Sequence, residues 1–141
     1  MLPFLDTVCR AYLLFLSVYH VISGVMSFFC PERALSFYRK LYDCNPVERK
    51  HLAIVLRPWG ALAAFAGVAG LFAAADPRRY AGVVVGLAIL QAARITYRLW
   101  CRRELAGISG IAPHRNMISI AVILVGLLLL TAWLAAFMRA P

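Results

Sequence analysis

Five polar side chains of this 141-residue sequence fall within or beside long apolar stretches, where they are candidates for binding chemistry. They are His20, Arg57, Gln91, Arg94 and Arg98. A charge in the middle of a bilayer costs about 2.5–3.5 kcal/mol even on lenient scales, so an ionisable residue there is a functional candidate. His20 lies deepest and can stay neutral. It can hold a ligand's polar end, a haem or a metal, or it can bond a hydroxyl or carbonyl of a neighbouring helix.

The arginines allow two interpretations. Their long stems can extend to the headgroups, which leaves them no specific ligand. Alternatively, Arg57, Gln91, Arg94 and Arg98 line one polar pocket that opens to the cytoplasmic leaflet. Such a pocket would hold a lipid phosphate or carboxylate through bidentate arginine contacts.

Motifs for catalysis or metal binding are absent from the sequence. The 4 cysteines form no CxxC pair and show no metal-ligand spacing. No phosphate loop, nucleophile elbow or zincin helix occurs. A haem between helices needs two histidines at matching depth, whereas His51 and His114 fall nearer a membrane boundary than His20 does. We therefore expect no metal site and no catalytic residue, and the sequence leaves any cofactor unknown.

Composition places the chain in a membrane. Hydrophobic residues make up 63% and charged residues 15%, against about 45–50% and about 25% in soluble domains. A soluble domain of this size could not bury so much apolar surface. The 15 Lys and Arg exceed the 6 acids, and they flank apolar runs. That placement is typical of membrane topology and of affinity for anionic lipids, and it argues against nucleic-acid binding.

The hydropathy pattern predicts an all-α polytopic membrane protein with four transmembrane helices in an antiparallel bundle. We expect one domain, residues 1–141, with spans at about 11–30, 58–75, 80–100 and 117–138, each near the roughly 20 residues that a bilayer requires. Residues 31–56 form a predicted cytoplasmic interfacial segment. It contains a short amphipathic helix between spans one and two.

The stretch NPVERKHLAIVLRPWG, residues 45–60, is predicted to turn the chain into the membrane. Asn45 can cap a helix, Pro46 suits its first position and Glu48 can complete the cap. Pro58 lacks a backbone N–H and restricts the residue before it. We therefore expect a boundary helix to about Leu56, a kink, and a second span that starts near Pro58.

Small residues predict close packing between spans two and three. They are Gly60, Ala63, Gly67 and Gly70 on span two and Gly82 and Gly86 on span three. Small residues spaced four apart let helices approach closely in a membrane. The tight turn at Asp76 and Pro77 makes these spans antiparallel neighbours.

The distribution of cations predicts the orientation. The loops after spans one and three, with their flanks, carry Arg33, Arg39, Lys40, Arg49, Lys50, Arg57, Arg98, Arg102, Arg103 and Arg115. The opposite side carries only Arg10, Arg78, Arg79 and Arg139. The positive-inside rule places the first set in the cytoplasm and both termini on the non-cytoplasmic side. The high Ala, Gly and Arg content is typical of a bacterial protein, so we expect the bacterial inner membrane.

The layout also resembles a known family. The features are Tyr38-Arg-Lys-Leu-Tyr42, Asn45-Pro46, Leu56-Arg57, Trp59-Gly60, the Asp76 turn and Tyr80. Over about residues 12–130 they are similar in span order and loop length to the small four-span scaffold proteins of ergosterol biosynthesis. That resemblance implies a non-enzymatic scaffold that tethers membrane enzymes. The chain also resembles uncharacterised bacterial four-span proteins, which imply no function.

Three hypotheses follow for function. The first is an accessory or scaffold subunit that packs with a membrane protein partner or with its own copies. The second is a membrane protein that binds a lipid, sterol or isoprenoid pigment, with His20, Arg57, Gln91 and Arg94 holding the polar end. The third, a membrane-embedded enzyme, would need a cofactor on His20 and has the least support.

Overall fold

The computed structural model describes residues 2–43, 49–107 and 110–139, and every regular element among them is a helix. The helices are α1 (Leu2–Phe29), α2 (Pro31–Tyr42), α3 (Arg49–Ala75), α4 (Ala81–Trp100), α5 (Arg102–Gly107) and α6 (Pro113–Met138). Four of them, α1, α3, α4 and α6, are long and apolar enough to cross a membrane. The predicted fold class is confirmed, including the short helix α2 between the first two spans.

Helix α2 has the amphipathic character that the sequence predicted. Pro31 stands at its start and Glu32 in its first turn, where a carboxylate favours the helix dipole. Ala34 and Leu35 are buried, and the helix packs against both α1 and α3. It ends at Tyr42, and the next residue, Asp43, has a left-handed φ of 49° that stops the helix.

The predicted boundary helix and second span form one helix, α3, which runs from Arg49 to Ala75 with Pro58 inside it. Proline removes the hydrogen bond to the carbonyl four residues earlier, and membrane helices tolerate this loss where neighbouring groups compensate. The predicted cap at Asn45, Pro46 and Glu48 lies outside the described residues. Helix α1 begins at Leu2, whereas the first span was predicted to begin at about residue 11.

The closest helix contact joins α1 to α3. A Cβ added to Gly60 would lie 2.6 Å from the Gly24 carbonyl oxygen, and one on Gly67 would lie 2.7 Å from the Val21 nitrogen. A Cβ on Gly70 would overlap the Ser17 hydroxyl. Gly60, Gly67 and Gly70 therefore allow a close helix contact, as predicted, but the neighbouring helix is span one and not span three. The reason is that α1 presents small residues of its own, including Gly24 and Ser17.

The predicted packing of Gly82 and Gly86 against span two is wrong. A Cβ added to either glycine would meet no described atom within 4 Å. The buried residues of α4 are Val84, Leu87, Ala88 and Gln91, which share one helix face by their spacing. Gly82 and Gly86 lie on the opposite, exposed face. Ala63 is half-buried and lines a cavity together with Gly60.

One polar cluster ties together three elements at the end of the bundle that holds both chain termini. The Trp133 indole Nε1 donates to Asp6 Oδ1 at 2.6 Å, and Arg78 Nη2 donates to Asp6 Oδ2 at 2.7 Å. Asp6 therefore joins α1 to α6 and to the turn between α3 and α4. At the same end, Arg10 donates to the Ala75 carbonyl. These contacts join the start of α1 to the ends of α3 and α6, so α1 runs antiparallel to both.

Candidate functional site

A chain of four polar side chains crosses the interior between α1 and α4. Gln91 Nε2 donates to the Tyr12 hydroxyl at 2.8 Å, and Arg94 Nη1 donates to Gln91 Oε1 at 3.2 Å. The same Nη1 lies 3.5 Å from His20 Nε2. The spacing of Gln91 and Arg94 puts both side chains on the face of α4 that meets α1. Three of the five predicted site residues, His20, Gln91 and Arg94, are thus brought together.

The hydrogen bonds define the protonation of His20. Its Nδ1 lies 2.8 Å from the Leu16 carbonyl oxygen, which can only accept. Arginine can only donate, so Nε2 is the acceptor toward Arg94 and the ring hydrogen resides on Nδ1. In this arrangement His20, which is 8% exposed, positions Arg94 and has no spare donor for a ligand.

Tyr12 and Gly126 belong to the site although the sequence did not single them out. A Cβ on Gly126 would overlap the Tyr12 hydroxyl, so glycine at this point of α6 makes room for the tyrosine. The Tyr12 hydroxyl can then reach Gln91, which is 2% exposed. The sequence signal that could have identified this pair is a glycine, Gly126, in the most lipophilic span together with a tyrosine, Tyr12, in the first span.

Among the residues that the structure describes, Arg94 forms no ion pair with an acidic side chain. Its hydrogen bonds go to a neutral amide and a neutral imidazole. Across residues 2–43, 49–107 and 110–139, the ion pair that the structure shows joins Arg78 to Asp6 at the far end of the bundle. A half-buried guanidinium beside apolar walls without a counter-charge is an attractive position for an anion.

Two cavities meet at Arg94. The α6 cavity has a volume of about 300 Å³ and lies between α1, α4 and α6 under the end of α2. The α3 cavity has a volume of about 460 Å³ and lies between α1, α3 and α4 under the same helix. Arg94, Tyr19 and Tyr42 line both. Both volumes fall in the range of small-molecule sites, about 300–1,000 Å³.

The remaining lining combines apolar walls with a few polar groups. Phe15, Ile118 and Val122 line the α6 cavity and are also exposed on the outer surface of the bundle, so this cavity opens sideways toward lipid. Leu62 and Trp59 give the α3 cavity a similar opening. Each cavity therefore offers an amphiphile an apolar wall that leads to the guanidinium of Arg94.

Arg98 has a structural role apart from this site. Its Nη1 donates to Asn116 Oδ1 at 2.9 Å, and Asn116 Nδ2 donates to the Arg98 carbonyl at 3.2 Å. The guanidinium also lies 5.1 Å from the centroid of the Tyr42 ring, a cation–π distance. Arg98 thus ties α4 to α6 and to α2.

Arg57 is separate as well. It is exposed and lines a groove of about 710 Å³ with Phe29, Cys30 and Arg33, away from Arg94. The hypothesis of one pocket that contains Arg57, Gln91, Arg94 and Arg98 therefore holds only for Gln91 and Arg94. Arg57 is excluded because it lines the groove beside the end of α1, whereas Arg94 lines the two cavities and not that groove.

The described residues contain no group of three side chains able to hold a metal ion. No protein-family model, curated protein or solved structure matches this chain. The resemblance to the ergosterol-pathway scaffolds remains a prediction, and the function has to be argued from the site.

Proposed function

We propose that this integral membrane protein binds an anionic amphiphile from the bilayer, with Arg94 holding the head and a neighbouring cavity holding the start of the chain. The observation that supports this most is the uncompensated charge of Arg94. Gln91 and His20 position that guanidinium, and no carboxylate of the described part of the chain pairs with it. An anionic head would complete its hydrogen bonds and neutralise its charge.

The surrounding charge favours the same kind of ligand. The end of the bundle nearer Arg94 carries the exposed cations Arg33, Lys40, Arg57, Arg102, Arg103 and Arg115. By the positive-inside rule we assign this end to the cytoplasmic side of a bacterial inner membrane, which leaves both termini outside. Exposed cations attract anionic lipids to that leaflet, so the ligand would enter from there.

The first test is the Arg94→Gln variant. We expect it to bind radiolabelled oleate about tenfold more weakly than the wild type, because a hydrogen bond to a charged group is lost. Binding is measured by scintillation proximity on protein in a neutral detergent. Glutamine removes the charge and keeps a side-chain end that can form hydrogen bonds.

Arg103→Gln is the matched control, because Arg103 is exposed on α5 and lines neither cavity. It removes the same charge from the same end of the protein and should bind oleate like the wild type. Equal oleate affinity in the Arg94→Gln variant and the control, or no specific binding by the wild type, would contradict the proposal.

A second candidate function is the accessory or scaffold subunit. The observation that favours it is the open face of α4, where Gly82 and Gly86 lie beside the exposed Val85 and Ile89. Small residues four apart on a lipid-facing surface are typical of helix association in membranes. This face would serve a partner membrane protein or a second copy of the chain.

A further inference from the structure

The α6 cavity holds a second arginine, which indicates the chemical class of the ligand. Arg94 lines its inner part and the exposed Arg115, in the first turn of α6, lines its mouth. We infer that this cavity binds a membrane lipid with a phosphate monoester head, placed between Arg94 and Arg115. This inference rests on the proposed function and narrows it.

Charge is the first argument. A carboxylate carries one negative charge, whereas a phosphate monoester carries about −1.5 to −2 near pH 7. Arg115, like Arg94, forms no ion pair with a carboxylate in the part of the chain that the structure describes. Two uncompensated guanidinium groups therefore match the charge of a phosphate monoester and exceed that of a fatty acid. Arginine also contacts phosphate in a bidentate manner.

The available donors are the second argument. The Tyr12 hydroxyl accepts from Gln91, so its own hydrogen is free to donate into the cavity that it lines. Arg94 uses only Nη1 in its bonds to Gln91 and His20, which leaves its other N–H groups available. The cavity thus offers donors from Tyr12, Arg94 and Arg115, and a phosphate monoester has three terminal oxygens to accept them.

The apolar wall is the third argument. Below Arg115, Ile118 and Val122 continue along the same side of α6 and face Phe15 of α1 across the opening. The distance along α6 from residue 115 to residue 122 is about 10 Å at 1.5 Å per residue. A lipid chain can therefore extend from the head into the bilayer along this wall. Free phosphate would make no use of it.

The α3 cavity differs in the charge of its described lining. Arg94 is the one cation among the lining residues that the structure describes there, and its other polar lining groups are neutral, such as Ser23, Ser27 and Tyr38. A doubly charged head would leave one charge unmatched in that cavity. The difference between the two cavities is why we place the phosphate on the α6 side.

The test compares affinities by native mass spectrometry of the detergent-solubilised protein, titrated with dioleoyl phosphatidic acid, dioleoyl phosphatidylcholine or oleate. We expect the wild type to prefer phosphatidic acid to phosphatidylcholine. In the Arg115→Gln variant the ratio of phosphatidic acid to oleate affinity should fall about tenfold, because one charged hydrogen-bonding partner is lost. Arg103→Gln, which removes an exposed cation outside the cavity, should keep the wild-type ratio.

Three results would overturn this inference. One is an unchanged ratio in the Arg115→Gln variant while oleate binding still depends on Arg94, which leaves the proposed function intact. Another is displacement of phosphatidic acid by an equal concentration of inorganic phosphate, which would show that the cavity recognises free phosphate. The third is a wild type that binds neither oleate nor phosphatidic acid, in which case the proposed function fails as well.

Discussion

We expect leucine in place of Gly67 to destabilise the bundle, and leucine in place of Gly86 to leave its stability nearly unchanged. A Cβ on Gly67 would lie 2.7 Å from the Val21 nitrogen and 2.8 Å from the Ser17 carbonyl oxygen. Both are backbone atoms of α1, so α1 and α3 would have to move apart. Overpacking a well-packed contact costs about 1–3 kcal/mol, and a full leucine at a backbone-to-backbone contact belongs at the upper end.

The measurement is unfolding in mixed micelles with increasing dodecyl sulfate, followed by far-ultraviolet circular dichroism. Gly86 is the matched control because no described atom lies within 4 Å of its added Cβ. The midpoint should fall clearly for Gly67→Leu and stay near the wild type for Gly86→Leu. Equal midpoints for the two variants would show that the α1–α3 contact is not the one that holds the bundle together.

The Asp6→Ala variant loses the link between α1, α6 and the α3–α4 turn. Trp133 is fully buried, so its indole N–H would be left without the acceptor that Asp6 supplies at 2.6 Å. An unsatisfied buried donor costs about 1–3 kcal/mol. The Arg78 contact adds little, because the Arg78 side chain is 51% exposed and exposed ion pairs contribute about 0–1 kcal/mol.

The same unfolding assay measures this effect, with Glu104→Ala as the control. Glu104 is an exposed acid on α5, and no ion pair involves it among the described residues. Trp133→Phe keeps an aromatic ring and removes the indole donor. The double variant Asp6→Ala/Trp133→Phe should therefore lose less free energy of unfolding than the sum of the losses in the two single variants. Strict additivity would mean that Asp6 and Trp133 do not interact.

Hydropathy was sufficient to predict the class of fold and the order of its helices. Four apolar runs of bilayer length and one amphipathic segment admit few other structures. Local signals were less dependable. Pro58 breaks helices in water, yet it lies inside α3, because a membrane helix has no solvent alternative for its backbone. The glycines of span three have the spacing of a packing motif, but spacing does not say which face meets a neighbour.

The residues of the site that could be predicted are those whose own type stands out from the sequence around them. His20, Gln91 and Arg94 are polar groups in apolar surroundings, and that contrast is visible in the sequence. Tyr12 and Gly126 were missed because their role depends on the register between α1 and α6. Arg115 was counted only as a topological charge, although it shares a cavity with Arg94. Contacts between helices distant in sequence are what the sequence alone does not show.

The most direct test of the central claim is mass spectrometry of the protein purified from its native membrane in mild detergent, reading lipids and proteins together. We expect one anionic lipid to be enriched at about one molecule per chain, and to be lost from the Arg94→Gln variant. A lipid content equal to that of the surrounding membrane, in both proteins, would contradict the account. A stoichiometric protein partner in that case would favour the scaffold function and the open face of α4.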